Sequence, residues 1–193
     1  PPMSVEQPTH PLADGFGRVA TDLRVSVTDR CNLRCSYCMP PEGLPWIAGE
    51  HLLSDDELIR LVTVAIQHNG IREVRFTGGE PLLRPGLDRL IAAAAAAGAA
   101  TAVTTNGVLL AARAAGLAQA GLRRVNVSLD SLSGATFIAL SKRDKLDEVL
   151  RGLAAAYDAG LRPVKVNTVL LRGVNDGEAA DLLEFCLYRG YEL

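Results

Sequence analysis

A chain of 193 residues with a formal charge of −2 is long enough to bury one substantial core, and it has no run of Lys or Arg on which nucleic acid could be held. Its longest apolar stretch, residues 90–100, is mostly alanine and too short to span a bilayer, so no membrane partner is expected. Of its four cysteines, three crowd between positions 31 and 38 while Cys186 stands apart, a distribution that argues against a disulfide framework and for metal or redox chemistry in a reducing cytoplasm.

In chain order, residues 1–13 are polar and proline-rich and lack the apolar core of a secretory signal, so a flexible tail is expected there, followed by one domain over 14–193. Short apolar runs at 23–27, 73–77, 101–105, 124–128 and 163–170 read as strands. Helices are expected at 55–68, 86–97, 109–120, 145–159 and 177–189. Ser54 followed by Glu57 is a capping-box signal, and Gly70, Gly98, Gly121 and Gly160 each sit just past a helix as a stop. Regular strand–helix alternation calls for right-handed βαβ units and a parallel sheet. Five units in a row, with Tyr191-Glu-Leu193 reading as the start of a sixth, give an α/β fold of the partial (β/α) barrel type. No GxGxxG follows the first strand, which argues against a dinucleotide-binding sheet. The stop at Leu193, in what reads as a strand, makes the chain look like a fragment.

Residues two apart on a strand share a face. Arg24, Ser26 and Thr28 share one, as do Arg75 and Thr77, then Asn126, Ser128 and Asp130, then Lys165 and Asn167. Their neighbours Val25, Val27, Val74, Phe76, Val125, Val127, Val164 and Val166 are apolar. Parallel strands covered on both faces are apolar throughout, so the polar face is expected to line a solvated or ligand-filled lumen. An antiparallel sheet with one wet face is the plain alternative, and the intervening helices argue against it.

Cys31, Cys35 and Cys38 follow the first strand at CxxxCxxC spacing. Three thiolates can hold three corners of an iron–sulfur cube and leave one iron open to a ligand. The alternatives are a zinc ion with His51 as fourth ligand, or a redox pair of Cys35 and Cys38. Zinc usually takes paired CxxC knuckles, and a redox pair has no use for Cys31. Gly78-Gly79-Glu80-Pro81 follows the second strand, where the glycines let backbone approach a ligand and Glu80 could anchor an ammonium; an ordinary turn with an exposed Glu80 is the alternative. Arg24, Arg75 and Lys165 would repel one another in an empty lumen. A triphosphate would compensate them, as would internal salt bridges to Asp130 or Glu80. Cys186 is expected to be a buried small residue, and His10, His51 and His68 to be surface residues.

CxxxCxxC with an aromatic before its last cysteine resembles the radical S-adenosylmethionine (SAM) superfamily. Asp14-Gly-Phe-Gly-Arg18, Asp22-Leu-Arg-Val-Ser-Val-Thr-Asp-Arg-Cys31 and Cys38-Met-Pro40 resemble, more specifically, the GTP 3′,8-cyclase (MoaA) family of molybdenum-cofactor biosynthesis. Thr77-Gly-Gly-Glu-Pro-Leu82, Thr104-Thr-Asn-Gly107, Asn126-Val-Ser-Leu-Asp-Ser131 and Val164-Lys-Val-Asn-Thr-Val169 continue the likeness from about Pro11 onward. The resemblance implies a 4Fe–4S cluster on Cys31, Cys35 and Cys38, with SAM chelating the fourth iron. It implies SAM contacts at Tyr37, Gly78, Gly79, Glu80 and Ser128, and GTP contacts at Arg24, Arg75, Thr104 and Lys165. The implied reaction is radical cyclisation of GTP to 3′,8-cyclo-dihydro-GTP. No catalytic side chain is assigned, since the radical comes from SAM. An electron donor and a downstream cyclic pyranopterin monophosphate synthase are the implied partners, and a homodimer is open. The family's second 4Fe–4S cluster belongs to a C-terminal part with no counterpart here, so this chain is expected to bind SAM and triphosphate without completing turnover. The rival readings are a radical SAM maturase acting on a peptide, and a non-catalytic metal-binding paralogue.

Overall fold

The computed structural model describes residues 10–193. Five parallel strands lie side by side in chain order: β1 (Asp22–Ser26), β2 (Glu73–Thr77), β3 (Ala100–Thr105), β4 (Arg124–Ser128) and β5 (Val164–Asn167). Between them run helices α1 (Asp55–Asn69), α2 (Leu87–Ala96), α3 (Leu110–Gln119), α4 (Gly134–Ser141) and α5 (Leu146–Asp158), and α6 (Ala179–Arg189) follows β5. An order that never reverses separates this sheet from a doubly wound one, in which helices cover both faces. When every right-handed crossover steps the same way, the helices all fall on one face. The other face stays uncovered, as in a barrel opened along one side.

Packing follows that topology. Val74, Phe76, Val103, Val125, Val127, Val164 and Val166 are buried in one cluster with Leu90, Leu110, Leu117 and Leu153 of the helices. The opposite face carries Arg24, Ser26, Arg75, Thr77, Thr104, Asn126, Ser128, Lys165 and Asn167, in the register expected of parallel neighbours. The lumen expectation therefore holds in its geometry, with aliphatics outward on the helices and polar groups inward.

Local signals set the ends. Ser54 Oγ accepts from Glu57 N at 3.2 Å, and Glu57 Oε2 accepts from Ser54 N at 2.8 Å, completing the capping box of α1. Gly70 ends that helix with φ of 78°. Three expectations need correction. Helix α4 was not anticipated: it is eight residues long and apolar around its circumference, so it shows no clear stripe, although Ser133 caps it. The strand expected over 163–170 stops at Asn167, because Thr168 Oγ1 donates to Leu129 O and Val169 N to Asp130 Oδ1, turning the chain over the end of β4. The tail expected over 1–13 lies outside the described residues as far as position 9. Beyond it, His10 N donates to His68 O at 3.0 Å and Asn69 Nδ2 to His10 O at 2.9 Å, so the segment from His10 is held against the end of α1. Glu192 forms a parallel bridge with Lys165 beside β5, where a sixth strand was expected to start. Among the described residues no helix is long and apolar enough to cross a membrane.

Candidate functional site

At the carboxyl ends of the strands a cavity of about 230 Å³ is lined by Cys31, Cys35, Tyr37, Cys38, Gly78, Gly79, Thr104 and Ser128. Ligands of open parallel sheets bind outside these strand ends. Eight residues singled out from sequence thus converge on one space, although they come from four separate segments. Thr77, Asn106, Asp130, Phe137, Leu140 and Ser141 are also part of the wall.

The cysteine loop is anchored from three sides. Arg34 N donates to Ser141 O and Ser36 N to Leu140 O, both at 2.9 Å, so the end of α4 takes up the loop's amides. Arg34 Nη1 donates to the carbonyls of Cys31 and Leu33 at 2.8 and 2.7 Å while its guanidinium lies over Trp46. Leu33 N and Asn106 Nδ2 both point donors at Cys31 Sγ, at 3.4 and 3.8 Å. Asn106 Oδ1 accepts from Val108 N at 3.1 Å, which fixes the amide so that its NH₂ faces the cysteine. Burial pushes the Cys31 thiol up, and it pushes Cys35 up to about 11, with the Asp130 charge adding to it. A metal taking them as thiolates would have to displace the proton that burial favours.

Gly78 and Gly79 are dictated by a neighbour. A Cβ on Gly78 would lie 2.3 Å from Thr28 O, and one on Gly79 the same distance from Arg30 O. Their missing side chains let this turn lie flush against the segment between β1 and the cysteine loop, where Gly79 N donates to Thr28 O and Glu80 N to Arg30 O. Glu80 departs from expectation. It is 0 % exposed and does not line the cavity. Its carboxylate accepts from Leu82 N at 3.0 Å, Thr105 Oγ1 at 2.7 Å and Asn106 N at 2.7 Å. Burial raises its pKa and these donors oppose the rise. Its local role is to fasten the loop after β2 to the loop after β3. It is neither an exposed turn residue nor a group facing the cavity.

The cations lie lower on the same face. Arg24 and Arg75 line a second hollow with Asp22, Leu23 and Glu73. Successive same-face residues are about 7 Å apart along a strand, so Arg75 is one such step below Thr77 at the cavity. The salt-bridge partners proposed from sequence, Asp130 and Glu80, are not the ones formed. Arg75 Nη2 meets Glu73 Oε1 at 3.2 Å and Lys165 Nζ meets Glu192 Oε2 at 3.0 Å, and among the described residues Arg24 has no ion pair. Glu73 and Arg124 also lie on this face, beyond the residues expected there from sequence. Each lies two residues before a residue already placed there, so the period of two carried one step further finds both.

A family model, described as the Radical SAM superfamily, matches residues 25–186. The chain belongs to that superfamily. The curated GTP 3′,8-cyclase of Streptomyces coelicolor is 58% identical over 186 residues, covering 95% of this chain and 54% of that protein. GTP 3′,8-cyclase 2 of Mycobacterium tuberculosis strain H37Rv is 59% identical over 187 residues, covering 96% and 52%. The chain thus spans about half the length of the curated relatives it matches. Among solved structures, anSMEcpe with bound AdoMet superposes with a TM-score of 0.69 at 18% identity over 88% of this chain and 49% of that one. SuiB of Streptococcus suis bound to S-adenosylmethionine gives 0.68 at 19% over 89% and 37%. At such identities the likeness is one of fold.

Radical SAM membership implies a 4Fe–4S cluster and SAM, and the residues present fit them. Cys31, Cys35 and Cys38 all line the one cavity, and three thiolates are the donor set such a cluster takes. His51, the fourth ligand of the zinc alternative, is exposed beside Glu50 and does not line the cavity. Cys186, as expected, is buried with the core.

Proposed function

We propose that this chain is the SAM- and nucleotide-binding part of a GTP 3′,8-cyclase of molybdenum-cofactor biosynthesis. The observation that carries the reading is the continuity of one polar face, which runs from a thiol-lined cavity down to a row of cations. Close identity to curated cyclases supports it. Cys31, Cys35 and Cys38 would hold the 4Fe–4S cluster. Tyr37, Gly78, Gly79 and Ser128 border the space for SAM. Glu80 acts by holding the Gly78–Gly79 turn and Asn106 in place. Thr104 borders that space too, level with Lys165 and one step above the row of Arg24 and Arg75, and these three cations would take the phosphates of GTP.

Bound together, cluster and SAM supply a carbon radical that abstracts hydrogen. The chain's part is to place the ribose of GTP beside SAM, to neutralise the phosphates, and to keep water from the cavity, whose far wall is the apolar pair Phe137 and Leu140. The cytoplasm, an external electron donor, a second cluster supplied outside these residues and a downstream cyclic pyranopterin monophosphate synthase belong to the same reading.

The test is hydrogen transfer. Protein reconstituted anaerobically with iron and sulfide is reduced and given SAM with GTP deuterated at the ribose 3′ carbon. Deuterium is expected in 5′-deoxyadenosine. With the second-cluster part supplied, cleavage of SAM without deuterium transfer overturns the assignment of GTP and favours a maturase acting on another substrate.

A further inference from the structure

Register places Arg24, Arg75, Ala102 and Arg124 side by side across β1 to β4. Three guanidiniums therefore share one row, with alanine leaving room between two of them. The row is under-compensated. Glu73 Oε1 alone accepts from Nη2 of Arg75, at 3.2 Å, and from Nη2 of Arg124. Among the described residues neither guanidinium makes another hydrogen bond. The Nε–H groups of both are buried and without a partner. Asp22 lies beside Glu73 in register and is engaged by Thr21 Oγ1 at 2.9 Å. Even with both carboxylates counted, three cations face two anions.

A guanidinium bonds an anion best through two parallel N–H groups. Glu73 uses one from each arginine and leaves the adjoining Nε–H unmatched. An oligophosphate has enough oxygens to take both edges, and both arginines must leave Glu73 to offer them. We infer that Arg124 is a further phosphate-binding residue and that Glu73 is a built-in competitor, holding Arg75 and Arg124 ready while lowering the affinity of the row for phosphate. The ligand class is an oligophosphate chain, and the inference rests on the nucleotide reading above.

Inorganic tripolyphosphate separates the two, since it carries no base or ribose. It is titrated calorimetrically at fixed salt into wild type, Glu73→Gln and Arg124→Gln, and thermal unfolding is followed with and without it. Glu73→Gln is expected to bind tripolyphosphate roughly tenfold tighter and Arg124→Gln roughly tenfold more weakly, the scale of one charge-assisted contact. Glu73→Gln is also expected to unfold at lower temperature alone, with the deficit closing at saturating tripolyphosphate. A merely structural ion pair gives the first deficit without closure. If wild type binds tripolyphosphate and both variants bind it equally well, this inference fails and the nucleotide reading stands. If neither wild type nor Glu73→Gln binds it, the phosphate part of that reading fails as well. Should Glu73→Gln not fold, the Nε–H resonances of Arg75 and Arg124 in the wild type decide. They move on titration if the arginines change partner, and an unmoved pair overturns the inference.

Discussion

Tyr37 Oη donates to Asp130 Oδ2 at 2.6 Å, joining residues 93 positions apart in the chain. The other carboxylate oxygen, Oδ1, accepts from Val169 N at 2.9 Å, and Asp130 O accepts from Asn175 Nδ2 at 2.7 Å. One aspartate therefore ties the cysteine loop, the end of β4 and the turn after β5 together beneath the cavity. Asp130→Ala leaves Tyr37 Oη and Val169 N without their acceptor, while Asn175 keeps the backbone carbonyl, and is expected to cost about 1–3 kcal/mol. Tyr37→Phe loses one bond at a half-exposed ring and should cost about 1 kcal/mol. Urea unfolding of the two variants checks the ranking, and equal losses would show that the Val169 contact carries nothing.

The cysteines give a prediction about metal. Anaerobic reconstitution should yield about four irons per chain with thiolate-to-iron absorption. Alanine at Cys31, Cys35 or Cys38 should abolish it, whereas Cys186→Ala should leave it unchanged, since Cys186 packs in the core. Chelation of the iron should return an apoprotein with the same helix content by circular dichroism, because the loop is held by α4 and Arg34. A fully retained cluster in Cys31→Ala rules out the three-thiolate arrangement.

Glu80 separates positioning from contact. Glu80→Gln keeps an acceptor for Thr105 and Leu82 but turns an NH₂ toward Asn106 N, leaving a buried amide unpaired. The expected loss is about 1–3 kcal/mol of stability. SAM affinity should fall along with the stability loss, and Thr105→Val, which removes a donor to Glu80, should weaken SAM in the same direction. A group gripping SAM directly would give Glu80→Gln a binding defect far larger than that of Thr105→Val at a similar stability loss, with Thr105→Val binding SAM like wild type.

The α1 cap supplies a pH dependence whose sign is fixed. Donation from Ser54 N, then Ser54 Oγ, holds the Glu57 carboxyl below its ordinary value of 4.5. A depressed carboxylate contributes stability that is present above its unfolded pKa and lost as pH falls through the folded one. Glu57→Gln should therefore be less stable than wild type at neutral pH, and the gap should close as pH falls below about 4. A gap that stays constant between neutral and acid pH would show that the charge of Glu57 is irrelevant.

The sheet and most of the cavity were legible because both follow from short-range rules. Strand–helix alternation gives the order, and period two separates the valines from Arg75, Thr77, Asn126 and Ser128. What sequence could not supply is direction at long range. Glu80 is an acid after a glycine pair, and nothing local says that Thr105 and Asn106 turn it inward. Residues 134–141 form a helix because α4 packs over the cysteine loop, while their own pattern has no stripe. Cations were found on the inner face, yet that Glu73 also takes Arg124 depends on register between strands, and that Lys165 meets Glu192 depends on where the chain returns after α6.

Lys165, one step nearer the cavity than the arginine row, gives the cleanest measure of the phosphate site. Its Nζ lies 3.0 Å from Glu192 Oε2, with 40% and 58% of the two side chains exposed. Ion pairs this open contribute about 0–1 kcal/mol, so Lys165→Ala should unfold almost like wild type. Its ammonium is correspondingly free to exchange Glu192 for phosphate. If it does, affinity should rise from guanosine to GDP to GTP. Lys165→Ala should weaken GTP roughly tenfold, as loss of one charge-assisted contact implies, and leave guanosine nearly unchanged. Added salt should narrow the difference, since a half-exposed charge is screened. Calorimetry with the three ligands at two salt concentrations checks it. Equal binding of GTP and guanosine by wild type would place the phosphates elsewhere and leave Lys165 with Glu192 as its sole partner.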